Sequence, residues 1–368
     1  MKYKIIKNRK IKVALVGCGR ISKNHINALL QLNDEIKLVA ICDNQQNRLN
    51  EAISLIEQIS NDLKIEKEQP DTYKDFEKLT DFCHKNKEYL DLIVLATPSG
   101  FHPDQVMKSA KARVNVCTEK PMATKWEDGL KMVNVCKKAN VRLFVVKQNR
   151  LNKTLQLLKK QIDKGRFGQI SIISINVFWQ RPESYYKKDS WRGTFDLDGG
   201  ALMNQASHYV DLLHWLGGPV DIISASTATL GRNIEVEDTA AIQFKLKNGG
   251  LGTMSVTMLT YPKNLEGSVT ILGEKGTVKI GGTAVNKIEE WEFEDTTDDD
   301  KLIKNTSYKI ENIYGFGHKN YYQNVIDTLR GDSEPLCDGE EGLKSLELII
   351  AAYSSSKQKN CVKLPLKS

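Results

Sequence analysis

The chain predicts an α/β protein in two parts. Residues 1–150 read as a doubly wound parallel sheet, and residues 151–368 as an α+β domain with a largely antiparallel open sheet. Three observations carry this. In the first part, short and nearly all-apolar runs alternate with amphipathic helical runs. A glycine turn follows the first apolar run. Past residue 150 the pattern changes to strict two-residue alternation, the mark of strands with two unlike faces.

The apolar runs of the first part are residues 13–16, 38–42, 92–96, 114–118 and 143–146. Strands buried on both faces of a parallel sheet look like this. Between the second and third runs, Leu49, Ala52, Ile53 and Ile56 recur at i, i+3, i+4 and i+7, and residues 126–139 form another helical run. Strand–helix alternation implies βαβ units with right-handed crossovers. The polar stretch 60–71 reads as a surface excursion, and the acidic stretch 295–300 as a solvated turn.

Beyond residue 150, Leu151, Leu155, Leu158 and Ile162 line one helical face. Then Ile242, Phe244 and Leu246, Met254, Val256 and Met258, and Val278 and Ile280 alternate with polar residues. One sheet face is expected under helices such as 201–216. The alternating apolar residues suggest a subunit interface on the other, and the last helix of the chain is expected to pack back on the first domain.

Composition narrows the class. The chain has 368 residues, enough for two cores, and no apolar run reaches the length of about 20 residues that spans a bilayer. The basic N-terminus leads straight into the first strand without a cleavage site, so the expectation is a cytoplasmic protein with no membrane partner. The seven cysteines include no CxxC pair and read as reduced core residues, which suggests neither disulfides nor metal. The net charge of +7 is scattered among acids with no basic stripe, which argues against nucleic acid but suits an anionic ligand.

The glycine turn is Val16-Gly17-Cys18-Gly19-Arg20-Ile21-Ser22. Gly17 permits the tight turn, and Gly19 lets main-chain N–H groups approach a pyrophosphate. Arg20 and Ile21 open the helix whose positive end faces that anion. Ser22 stands at the third, helix-packing position of the GxGxxG pattern. Asp43 ends the second strand 24 residues after Gly19, placed for the ribose hydroxyls, and its charge disfavours a 2′-phosphate. NAD is therefore the expected cofactor. Thr97 and Ser99 follow the next apolar run, at the strand edge where ligands of such sheets sit, and His102 shapes that loop.

Candidate chemistry follows in five clusters. Glu119-Lys120-Pro121 sets a lysine at a strand's carboxyl edge, suited to a substrate hydroxyl. In 199–211, two glycines open a helix on which Asn204, His208 and Asp211 share a face, with Gln205 beside them; a histidine there suits a general base. Lys147-Gln148-Asn149-Arg150, Trp191-Arg192-Gly193 and the segment Gly315-Phe316-Gly317-His318-Lys319-Asn320-Tyr321 combine cations or amides with aromatics or glycines. They suit a phosphorylated or carboxylated ligand.

These residues together resemble the Gfo/Idh/MocA oxidoreductase family over essentially the whole chain. The specific parts are Gly17-Cys18-Gly19, Asp43, Glu119-Lys120-Pro121 and the 199–211 segment. The resemblance implies a Rossmann domain that holds NAD, with Lys120 and His208 flanking the carbon that is oxidised. Asn204 stands where many members have aspartate, and orients substrate rather than relaying a proton. The stretches 201–211, 258–268 and 273–277 are similar to the branch of UDP-N-acetyl-2-amino-2-deoxyglucuronate 3-dehydrogenases, which shares the asparagine. That branch implies oxidation of the C3 hydroxyl of a UDP-sugar for surface polysaccharide, a homotetramer, and 2-oxoglutarate as an acceptor that recycles NADH. On this reading Gly17, Gly19, Arg20, Ile21, Asp43, Thr97, Ser99, His102, Glu119, Lys120 and Gln148 serve the cofactor. Lys147, Asn149, Arg150, Trp191, Arg192, Asn204, Gln205, His318 and Tyr321 serve the substrate with Lys120 and His208. A dehydrogenase for a free sugar or polyol such as inositol, and a dinucleotide-binding regulator without catalysis, are the other readings; the presence of both Lys120 and His208 weighs against the regulator.

Overall fold

The computed structural model describes residues 3–67, 69–309 and 317–366. The chain divides into two compact units, Met1–Lys147 with His318–Leu343 and Gln148–Gly317 with Lys344–Ser368.

The first unit is built from β1 (Ile11–Val16), α1 (Ser22–Leu30), β2 (Ile36–Cys42), α2 (Gln46–Leu63), β3 (Asp71–Tyr73), α3 (Phe76–Lys85), β4 (Leu92–Leu95), α4 (His102–Lys111), β5 (Asn115–Thr118), α5 (Trp126–Ala139) and β6 (Leu143–Val145). Its six strands are all parallel in the order β3-β2-β1-β4-β5-β6. The order reverses between β1 and β4, so the loops after those two strands open at the switch point where such sheets take ligands. Every residue of β4 and β6 is buried, which explains their unbroken apolar sequence. The short β3 is mostly exposed and has no apolar run, so sequence pattern gives no sign of it. The stretch 60–71, expected as a loop, contributes the last turn of α2 at one end and the start of β3 at the other.

Six cysteines are buried and Cys361 is exposed. Burial pushes the thiols of Cys18, Cys42 and Cys136 up to about 12, so they remain protonated and unreactive at neutral pH.

The second unit continues with α6 (Lys153–Asp163), β7 (Ile170–Phe178), α7 (Glu183–Lys187), α8 (Ser207–Gly217), β8 (Val220–Ala228), β9 (Thr239–Leu246), β10 (Leu251–Thr257), β11 (Glu266–Gly273), β12 (Gly276–Gly281), β13 (Lys287–Phe293) and α9 (Ile303–Thr306). Then α10 (Gly317–Arg330) joins the first unit from His318 on, α11 (Gly339–Gln358) follows, and β14 (Val362–Lys363) closes the second sheet. That sheet has eight strands in the order β13-β12-β11-β7-β10-β9-β8-β14, antiparallel except for the β7–β10 pair.

The alternation seen in sequence is the pleat of this sheet. Ile242, Phe244, Leu246, Met254, Val256, Val278 and Ile280 are all buried, with Ile173, Ile175 and Val177 of β7. The helix α8 covers this face: a side chain at Gly217 would stand 2.6 Å from Ile173. The apolar alternants are thus used inside the unit. The outward positions include Ser171, Gln243, Lys245 and Thr253, with Ile172 and Leu251 as exposed apolar residues among them.

The segment 201–216 is not one regular helix. Residues Ala201–Gln205 form a π turn, Ala206 breaks it, and α8 begins at Ser207. Such turns occur often at functional sites, where they re-aim one or two side chains. Among the described residues, no helix is long and apolar enough to cross a membrane.

Candidate active site

The glycine turn separates two requirements. Gly17 has φ +92°, and a side chain there would lie 2.7 Å from the main chain of Ala96; the fold itself demands glycine. Gly19 is different. A side chain would meet only the tip of Arg48, at 3.9 Å, so the space in front of it is kept open by the protein. Ser22 fills the third position by turning its hydroxyl back to Gly19 O at 2.5 Å. Arg20 is exposed, and Ile21 starts α1, whose first turn holds no acidic side chain and no side-chain cap. A helix end left in this state suits a phosphate.

Asp43 is buried against that turn. Its Oδ2 accepts the Cys18 N–H at 2.8 Å and its Oδ1 accepts the Gln45 N–H at 2.9 Å. The carboxylate therefore fixes the glycine turn, and each oxygen keeps a lone pair for a ribose hydroxyl. In the loop after β4, Thr97 donates to Gln105 at 2.6 Å, and Ser99 is buried at the start of a short 3₁₀ turn. His102 is fully buried, each ring nitrogen 3.0 Å from a carbonyl, Pro121 O and Thr97 O, so it ties this loop to the turn after β5. Burial lowers its pKa against the pull of those carbonyls.

Lys120 is half-buried at the end of β5 and precedes a cis peptide to Pro121. Its main-chain N–H donates to Glu119 Oε2 at 3.0 Å. Glu119 itself points inward, with Oε1 3.1 Å from His25 Nε2 and 3.8 Å from His318 Nε2. Burial opposes its ionisation, but the two imidazoles outweigh that and hold the carboxyl well below the usual range. His318 and Tyr321, expected to meet substrate, are both buried within the first unit. Gly315 and Phe316 of the same motif lie outside the described residues.

In the second unit, His208 Nε2 is 3.2 Å from Gln148 Nε2. The amide donates, so that ring nitrogen carries a lone pair. Asp211, one turn on, is gripped by Arg150 rather than by His208. Arg150 thus locks the 148–151 turn to α8. Asn149 is buried in that turn, as are Lys147 just before it and Gln205 in the π turn. Asn204 donates its amide to Asp198, a buried carboxylate that also accepts the Gly193 N–H at 2.7 Å. One N–H of the Asn204 amide is thus committed to Asp198. Arg192 stacks on Trp191 and Tyr185, donates to Tyr185 Oη at 2.7 Å and pairs with Asp189.

Sequence reading missed four residues. His25, Tyr322, Asp198 and Glu237 are buried polar groups, and only Asp198, immediately before the paired glycines, had a positional hint. Glu237 Oε1 accepts the Leu202 N–H at 2.8 Å and the Tyr353 hydroxyl at 2.9 Å, which anchors the start of the π turn. A side chain at Gly200 would collide with it.

Two family models cover the chain. Residues 11–147 match "Oxidoreductase family, NAD-binding Rossmann fold", and residues 159–364 match "Oxidoreductase family, C-terminal alpha/beta domain". The chain belongs to the Gfo/Idh/MocA oxidoreductase family. As a member it is an NAD-dependent oxidoreductase. Two solved structures are similar over their full length. One is the WlbA dehydrogenase from Chromobacterium violaceum in complex with NADH and UDP-GlcNAcA, at 51% identity, 100% of both chains and TM-score 0.91. The other is the WlbA dehydrogenase from Bordetella pertussis, also with NADH and UDP-GlcNAcA, at 52% identity, 98% of this chain, 100% of that chain and TM-score 0.89. Among curated proteins, the D-apiose dehydrogenase of Paraburkholderia graminis is 26% identical over 97% of this chain and 90% of its own length. The myo-inositol 2-dehydrogenase of Thermotoga maritima is 24% identical over 96% and 98%. Within this family, residues 11–147 form the NAD-binding Rossmann domain.

Proposed function

We propose that the chain oxidises the C3 hydroxyl of UDP-N-acetylglucosaminuronate to the ketone. The observation that carries this reading is the identity of about one residue in two, over essentially the full length, with two dehydrogenases solved with that UDP-sugar and NADH. The distant polyol and sugar dehydrogenases support only the reaction class.

Bound NAD supplies the hydride acceptor. Gly17, Gly19, the start of α1 and Asp43 hold it, with Thr97 and Ser99 beside them. His208 removes the hydroxyl proton as the C3–H leaves as hydride; its Nε2 lone pair, which meets the Gln148 amide in this structure, passes from that amide to the substrate hydroxyl when substrate binds. Lys120 donates a hydrogen bond to the C3 oxygen as negative charge builds on it. Asn204 is assigned to orient the sugar by hydrogen bonds. Lys147 and Asn149 are assigned to the anionic part of the substrate. Arg150 is assigned to positioning α8. We further assign the protein to the cytoplasm as a homotetramer built on the outer face of its second sheet, serving surface-polysaccharide synthesis.

The test is NADH formation at 340 nm and ketone formation with UDP-N-acetylglucosaminuronate, with and without 2-oxoglutarate. Turnover of the UDP-sugar supports the reading, and dependence on 2-oxoglutarate adds cofactor recycling. Activity on myo-inositol or glucose alone overturns the substrate and keeps the cofactor.

A further inference from the structure

We propose that His25 and Tyr322, acting through Glu119, are positioning residues for Lys120. The proposal rests on the role given to Lys120 above. A packing position inside the first unit would hold an apolar residue, yet His25, Glu119, His318 and Tyr322 gather there, each at most 6% exposed. A buried carboxylate is costly unless both oxygens meet donors.

The arrangement fixes which groups donate. Burial pushes the Tyr322 phenol far up, so it keeps its proton. Its hydroxyl is 2.6 Å from His25 Nδ1, and in the tautomer that turns an N–H toward the Glu119 carboxylate it donates to that nitrogen. That places the ring proton of His25 on Nε2, facing Glu119 Oε1 at 3.1 Å. His318 meets the same oxygen from a second side at 3.8 Å, its ring edge-on to His25. The other oxygen, Oε2, accepts the main-chain N–H of Lys120. The Glu119 N–H donates to Leu95 O at 2.9 Å, which ties the same residue to β4. The carboxylate thus faces two imidazole nitrogens with one oxygen, and with the other accepts the backbone N–H of the reacting lysine. His25 lies on α1, the helix whose start receives the dinucleotide, so the same group connects the cofactor helix to the lysine turn.

This predicts how an isosteric change fails. In Glu119→Gln, one oxygen becomes an NH₂ group that must face a donor, either His25 Nε2–H or the Lys120 N–H. The turn shifts although volume is conserved. Misplacement of a reacting group by about 1 Å costs on the order of a hundredfold in rate. Tyr322→Phe releases the His25 tautomer and is expected to cost about tenfold, as for other residues that orient a reacting group from behind.

The experiment measures kcat, KM for the UDP-sugar and NADH affinity by fluorescence in Glu119→Gln, Tyr322→Phe, Lys120→Met and the Lys120→Met/Glu119→Gln pair. It also includes metal analysis of the wild-type protein as isolated. The expected result is a fall in kcat for both single cluster variants with KM for the UDP-sugar unchanged and, in Tyr322→Phe, NADH affinity unchanged. In the Lys120→Met background, Glu119→Gln should cost nothing further, because it acts through that lysine. Losses that multiply, or a full kcat in Glu119→Gln while Lys120→Met is inactive, overturn the proposal. So does one bound divalent ion per chain, since two imidazoles and a carboxylate would then be its ligands. If Lys120→Met is fully active, the role of Lys120 falls on its own result and takes the proposal with it. If Glu119→Gln fails to fold, Tyr322→Phe carries the same comparison.

Discussion

Arg150 and Asp211 form a two-pronged ion pair inside the second unit: Arg150 Nε reaches Asp211 Oδ2 at 2.8 Å, and Nη2 reaches Oδ1 at 2.7 Å. Both side chains are 3% exposed. A parallel fork of this kind fixes direction as well as distance, and it does so one turn from His208.

Asp211→Asn should therefore destabilise the protein strongly. It leaves a buried guanidinium without its counter-charge, which costs on the order of 3–5 kcal/mol. Urea unfolding of the variant beside wild type reads this directly. A loss below about 1 kcal/mol, the range of an exposed pair, would show the pair to be solvated in solution.

The two glycines of the turn should fail in different ways. Gly17→Ala puts a side chain 2.7 Å from the main chain of Ala96 at a positive φ and should lower thermal stability. Gly19→Ala meets no such obstacle, so it should fold and melt like wild type without ligand, yet lose NADH affinity. Melting curves and NADH titration separate the two. Equal loss of stability in both would refute the distinction.

Replacing the proposed acid–base groups should affect turnover and spare the cofactor. Lys120→Met and His208→Asn are each expected to lower kcat by about 10²- to 10⁴-fold, with NADH still quenching protein fluorescence at wild-type concentrations. Wild-type turnover in either variant removes that residue from the mechanism.

Glu237 should make stability depend on pH. Burial raises its carboxyl from the ordinary 4.5 to about 7, against the pull of its hydrogen bonds from Leu202 and Tyr353. The folded state thus holds a proton that the unfolded state releases in that window. The contribution is whole below pH 4.5 and is lost as pH rises through 7. A tenfold difference in proton affinity between the two states is worth about 1.4 kcal/mol, so wild type should lose roughly 3 kcal/mol across this range relative to Glu237→Gln. Unfolding of both proteins at about pH 5 and about pH 8 tests the sign; a parallel response would exclude Glu237 as the cause.

Much of the fold was legible because burial writes itself into periodicity. The runs at 13–16 and 92–96 lie in strands covered on both faces, and the alternation at 242–246 lies in one covered on a single face. β3 escaped because three exposed residues leave no apolar trace. The π turn at Ala201–Gln205 escaped because sequence spacing assumes a regular helix, whereas the extra residue per turn depends on what holds the helix start, here Glu237 and Tyr353. The glycine turn and the lysine at the end of β5 were readable as local motifs. The partners of Glu119 were not: His25 and Tyr322 are 297 residues apart in sequence and meet only in the folded unit.

The open end of α1 has a consequence for the life of the protein before it acts. A helix that begins without a side-chain cap is an unfinished join, and a dinucleotide bound there, as proposed above, would finish it. Ligand then contributes to folding in proportion to the logarithm of its concentration over its dissociation constant, about 2.7 kcal/mol at a hundredfold excess. The amount of intact enzyme in a cell would follow the supply of its coenzyme, and a starved cell would shed the protein by turnover without any signal other than the missing nucleotide.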